Sequence, residues 1–263
     1  MSFVDHLEEL RWHVIRSMIA IVVLAIVAFV EKNILFHHII LGPSRPDFWT
    51  YRMMCRLAEV VQQPFLCVEK LDFTIQSRNM TGQFTTHITV SILAGFVIAF
   101  PYVFWEIWRF VSPGLHERER RMTRGAVLSV STLFLTGILF GYYIVSPLSI
   151  NFLANYRIDE SIINEFDLLS YIEVLTMMVL ACGVMFQLPM VVYVASRAGL
   201  ITPFLMRHFR RHAIVVILVV AAVLTPSPDV FSQLIVAIPI YLLYESSIFI
   251  SAYVERRRAK EEI

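Results

Sequence analysis

The sequence is short of the residues that let a soluble domain face water. Only 16% of its 263 residues are charged while 57% are apolar, against about 25% charged in ordinary soluble domains. A soluble globular class is therefore excluded. Nor is there a surplus of one sign, because 22 Lys plus Arg against 21 Asp plus Glu leave a net charge of +1. Without a global basic field, no nucleic-acid partner is expected. Cysteine is scarce as well: Cys55, Cys67 and Cys182 contain no CxxC pair, which rules out a disulfide framework or a thiolate zinc site. Cys55 and Cys67 share one long loop, and an oxidising compartment could bridge them.

Catalytic motifs are missing too. GxxxxGK[ST], HExxH, GxSxG and GxGxxG do not occur, so phosphate cradling, zinc hydrolysis and serine acyl transfer have no machinery here. His37 and His38 are adjacent rather than a helical turn apart, which reads as an interfacial pair and not a ligand pair. The expectation is no enzyme, with no catalytic residue, no cofactor and no metal.

What the chain does have is long apolar runs. Placing helices on them predicts an all-α polytopic membrane protein, a single transmembrane domain over residues 1–263, with spans near 13–31, 86–110, 124–147, 170–196, 212–225 and 230–250 and a long outer loop over 32–85. Asp5, Glu8 and Glu9 precede the first run, and no small-residue cleavage site follows it. It reads as a retained anchor and not a signal peptide. Six spans put both termini on one side. Fifteen of the 22 basic residues fall at the N-terminus, in 109–124, in 197–211 and in the tail, which makes those segments cytoplasmic.

The fifth and sixth helices are expected to be short. Ala213 to Leu224 is apolar over only 12 residues, a tight TPSPD turn follows, and Glu245 interrupts the next run. Such a pair would thin the bilayer locally, unless the polar flanks simply rest in the interface. Prolines 101, 147, 189 and 239 fall in or beside the spans and should bend them into a cupped bundle. Gly137 and Gly141 form GxxxG in the third span, read as close packing within the chain in preference to dimerisation. The long outer loop is expected to carry short helices.

Two acidic pairs stand at span ends. Glu8 and Glu9 follow a capping-box pattern, Ser2 with Asp5, and an apolar stripe of Phe3, Leu7, Leu10 and Val14. Glu117 and Glu119 sit in HERERR. By themselves these acids are better explained by helix-dipole complementarity and local salt bridges than by a binding role.

Three segments, taken together, resemble the TatC family, the multi-spanning core subunit of the twin-arginine protein translocase. They are HLEELR from His6 to Arg11, FVSPGLHERERR from Phe110 to Arg121, and TPSPDVFSQ from Thr225 to Gln233 with AIPIYLLYE running to Glu245. They occur in order and at the right ends of the spans, and the similarity runs from about Val4 to Tyr253.

The resemblance implies a receptor that binds the twin-arginine signal peptides of folded precursors at the cytoplasmic face of the bacterial cytoplasmic (inner) membrane. It also implies TatA- and TatB-type single-span partners, a homo-oligomer within a receptor complex, and export driven by the proton-motive force. A guanidinium pair is best matched by preorganised carboxylates. By motif position Glu9 and Glu119 are those carboxylates, with Arg11 and Phe110 beside the peptide site. Gln187, Gln233, Asp229 and Glu245 are the polar positions for partners or for the membrane interior, and Pro43, Pro113 and Pro189 are structural. Where resembling members often carry an acid two positions before a proline in the fourth span, this chain has Gln187 before Pro189, an uncharged amide. A small-solute secondary transporter is the alternative, although neither an internal repeat nor midplane charge pairs support it. An intramembrane hydrolase lacks its nucleophile motif.

Overall fold

A computed structural model describes residues 3–62, 67, 71, 73–111, 125–159, 161–225 and 230–261. In chain order the elements are α1 (Phe3–Val30), a π-helical stretch (Asn33–Ile40), α2 (Trp49–Val61), β1 (Phe73–Gln76), α3 (Gly82–Val111) and α4 (Ala126–Phe140). A second π stretch (Gly141–Val145) leads into α5 (Ser146–Asn155), and β2 (Asn164–Asp167), α6 (Leu168–Met185), α7 (Leu188–Arg197), α8 (Pro203–His208), α9 (Arg210–Leu224) and α10 (Val230–Glu261) complete the chain. The two short strands pair with each other. Among the described residues five helical runs, Glu8–Val30, Gly82–Val111, Ala126–Asn155, Leu168–Arg197 and Gln233–Arg257, are long and apolar enough to cross a membrane. Helices dominate because lipid leaves a backbone no other hydrogen-bond partners.

The chain divides into two compact units. The first comprises Met1–Gly42, Gln76–Leu135 and Asp167–Leu169. Within it α1 lies along α3. Small residues allow the approach: Ala25, Ala28 and Ala99 are buried, and a Cβ on Gly95 would fall 2.6 Å from the Ala25 backbone nitrogen. The opposite face of α1 carries Met18, Ile19, Val22, Val23 and Ile26, each at least half exposed, a surface suited to lipid.

The second unit comprises Pro43–Ile75, Thr136–Phe166 and Ser170–Ile263. Its core gathers Val145, Met178, Cys182, Ile217, Ala221, Leu224, Val236, Ala237 and Ile240. The GxxxG pair packs within the chain as expected. A Cβ on Gly137 would meet the Cys182 carbonyl oxygen at 2.6 Å, and one on Gly141 the Val179 Cα at 2.9 Å.

Pro147 removes the donor that would serve the Tyr143 carbonyl four residues back. The Thr50 hydroxyl of α2 donates to that carbonyl instead, while Ser146 Oγ donates to the Gly141 carbonyl at 2.7 Å. The long loop does carry short helices, and Cys55 and Cys67 are disulfide-bonded with Cα atoms 4.1 Å apart.

One expectation fails. The fifth helix is short, α9 having 15 residues, about 22 Å at 1.5 Å per residue. The sixth is not: α10 runs for 32 residues straight through Glu245. The physical reason is that Glu245 finds a cation, Arg210 Nη2 at 2.7 Å. The neighbouring serines are satisfied as well, Ser247 Oγ by the Leu243 carbonyl at 2.6 Å and Ser251 Oγ by Ser196 Oγ at 2.8 Å. A paired charge need not end a membrane helix.

Candidate functional site

In α1, Glu9, His13 and Arg16 recur at i, i+4 and i+7 and so share a face. Glu9 is half-buried and Arg11 exposed, whereas His13 is buried against α3. There α3 offers Tyr102, Glu106, Arg109 and Phe110, again at helical spacing. Glu106 is only 1% exposed.

His13 Nδ1 stands 2.5 Å from Glu106 Oε2, and the Tyr102 hydroxyl donates to Oε1 at 3.0 Å. Arg16 and Arg109 approach the same carboxylate at 4.0 and 3.9 Å, near enough to compensate its charge but beyond hydrogen-bond length. Arg109 also lies over the Trp105 ring, 4.9 Å from its centroid. Ser17 Oγ donates to the His13 carbonyl at 2.9 Å, and the His13 and Phe110 rings are 6.2 Å apart. An isolated buried carboxylate would be too costly to retain; this one is surrounded by donors and cations.

The structure thus places Phe110 against His13, one helical turn from Glu9. Glu117, Glu119 and Pro113 lie outside the described residues, as do Ser2 of the capping-box pattern and Asp229. Sequence reasoning missed His13 and Glu106. The available signal was Glu106 itself, an acid inside the apolar run from Ile88 to Trp108, where an ionisable residue marks a site by default.

In the second unit, Glu245 accepts from Arg210 at 2.7 Å and from the Tyr241 hydroxyl at 3.0 Å. Tyr244 donates to the Met206 carbonyl at 2.7 Å. Gln233 Nε2 donates to the Leu218 carbonyl at 2.9 Å, which ties α10 to α9. Gln187 stands at the break between α6 and α7, where its carbonyl accepts from the backbone of Met190 and Val191 at 3.0 Å each. Pro189 starts α7 and is buried. Pro43 is buried too, its carbonyl accepting from the Tyr51 hydroxyl at 3.0 Å. Among the described residues no group of three His, Cys, Asp or Glu is placed to hold a metal.

Fold and site define a multi-pass α-helical membrane protein in which two glutamates inside spans are held by cations and tyrosines. Comparison makes this specific. The family profile described as Sec-independent protein translocase protein (TatC) matches residues 5–239. The TatC protein of Blattabacterium sp. subsp. Periplaneta americana (strain BPLAN) is 36% identical over 98% of this chain and 97% of its own length. That of Halalkalibacterium halodurans is 34% identical over 100% and 93%. Two crystal structures described as twin arginine translocase receptor TatC superpose with TM-scores of 0.69 and 0.65. They are 31% and 30% identical, over 94% and 95% of this chain and 99% of each of theirs. The chain belongs to the TatC family of Sec-independent protein translocase proteins. It is a translocase component, a transport subunit rather than a catalytic enzyme, and the small-solute transporter alternative gives way.

Proposed function

We propose that this chain is a signal-peptide receptor and scaffold. It crosses a bacterial cytoplasmic membrane six times with both termini on the cytoplasmic side, α9 being the short fifth span. Glu9 and Glu119 take the two arginines of a precursor's signal peptide in charge-assisted bonds. Arg11 fixes the charge balance of the ELR turn, and Phe110 forms an apolar wall. The observation that carries the reading is the rigidity behind Glu9: one turn on, His13 is locked to buried Glu106 at 2.5 Å, so the carboxylate projects from an anchored helix.

The same reading includes TatA- and TatB-type single-span partners, a receptor oligomer and use of the proton-motive force. Family membership supports these, as does Gln233, a polar residue of α10 that hydrogen-bonds to the Leu218 carbonyl of α9. The test is binding of an Arg-Arg signal peptide against its Lys-Lys counterpart, for wild type and for Glu9→Ala with Glu119→Ala. Selective binding by wild type alone supports the receptor reading, and equal binding in all four combinations overturns it.

A further inference from the structure

The surface of α2 is unusual for a loop helix. At about 100° per residue its side chains fall into three arcs. Thr50, Tyr51 and Ala58 face inward and are buried. Arg52, Arg56 and Glu59 form an exposed charged arc. Next to it, Trp49, Met53, Leu57 and Val60 make an apolar arc that is exposed by 51, 41, 54 and 80%. A helix bathed only by water would carry polar residues over its whole outer face.

The stripe cannot rotate inward, because α2 is fixed at several points. The Tyr51 hydroxyl donates to the Pro43 and Pro147 carbonyls at 3.0 and 2.9 Å, the Thr50 hydroxyl donates to the Tyr143 carbonyl, and Cys55 is bonded to Cys67. These anchors also set its depth. Tyr143 and Pro147 lie about 26 and about 32 Å along the helical run from Ala126, and the hydrocarbon core is about 30 Å thick. The anchors of α2 thus fall about one hydrocarbon thickness along this run. Aromatic rings gather at that level: Phe48 stacks on Tyr143 at 5.7 Å, Trp49 meets Tyr143 at 5.8 Å and Phe48 meets Tyr142 at 5.5 Å, a composition typical of the membrane–water interface.

We propose that α2 is an interfacial helix seated in the phospholipid leaflet opposite the chain termini. Trp49, Met53, Leu57 and Val60 enter the acyl boundary, and Arg52 and Arg56, one turn apart on the adjoining arc, meet lipid phosphates. A second copy fits less well, since a two-fold pairing of this face would bring Arg52 and Arg56 toward their own counterparts. The proposal rests on the orientation given above only for which leaflet is meant, and its readout is local to α2, independent of signal-peptide binding.

The test uses the full chain in vesicles of phosphatidylethanolamine and phosphatidylglycerol. A nitroxide is attached through a keto amino acid at Leu57, and in a second protein at Glu59, which avoids new thiols near the disulfide. Collisions with oxygen report lipid, and those with a water-soluble nickel chelate report water. The expected result is an oxygen-to-nickel ratio at Leu57 at least about threefold above that at Glu59. Nickel access at Leu57 equal to that at Glu59 overturns the proposal in favour of water. Exclusion of both reagents at Leu57 overturns it in favour of a protein cover. Should the Leu57 protein lose its Cys55–Cys67 bridge, the same label at Met53 gives the same readout.

Discussion

Two glutamates inside spans use the same local device and differ in everything around it. Glu106 accepts from Tyr102 and Glu245 from Tyr241, each four residues earlier and each at 3.0 Å. The nearest partner differs: a buried histidine at 2.5 Å for Glu106, a half-exposed arginine at 2.7 Å for Glu245. So does cover by the protein, the side chains being 1% and 21% exposed. The first carboxylate is enclosed by protein groups, whereas the second is left partly uncovered. Glu106 thus acts as a structural lock on α1, and Glu245 lets α10 continue through a polar position.

The largest expected effect that sharpens this contrast is at Glu106. Glu106→Ala strands His13 beside two arginines and should cost about 3–5 kcal/mol. Glu106→Gln keeps an acceptor oxygen for one of its two partners, puts an amide donor in place of the other oxygen, and should lose about half of that or less. Thermal unfolding in detergent measures both, and equal losses would break the account of the lock. Next are the tyrosines. A hydrogen bond to a charged group contributes about 1.5–3 kcal/mol, so Tyr102→Phe should fall in that range while Tyr241→Phe falls below it. Smaller still is Arg210→Ala, at about 0–1 kcal/mol and weakened further by salt, because Arg210 is 45% exposed.

A third tyrosine serves as a control without an anion. Tyr51 donates to the Pro43 and Pro147 carbonyls, and burial raises its phenol well above the ordinary value. Its contribution is complete below the unfolded pKa of about 10 and declines as pH rises beyond it. Protease nicking of the α2 segment should therefore increase only in strong alkali, and nicking already at pH 8 would contradict this.

Much of this was legible locally. Apolar runs marked the long helices, GxxxG marked the packing of Gly137 and Gly141, and the short run before TPSPD marked α9. The unread parts are long-range pairings. His13 and Glu106 are separated by 93 residues, and hydropathy gives no means of joining them. Glu245 looked like a helix stop because the Arg210 that pairs with it belongs to the preceding helix. Pro147 suggested a bend, but nothing in sequence said that Thr50 of a distant loop helix would take the freed carbonyl. Of the candidate carboxylates, Glu9 is placed on an anchored helix, while Glu119 lies outside the described residues.

The central claim is that guanidinium groups of a signal peptide are read by Glu9 and Glu119. A double-mutant cycle on the reconstituted receptor tests it most directly, combining Glu9→Gln or Glu119→Gln with single Arg→Lys changes in the peptide and measuring Kd. The account predicts coupling of about 1 kcal/mol or more between each carboxylate and one arginine. Additive losses at both positions would contradict it.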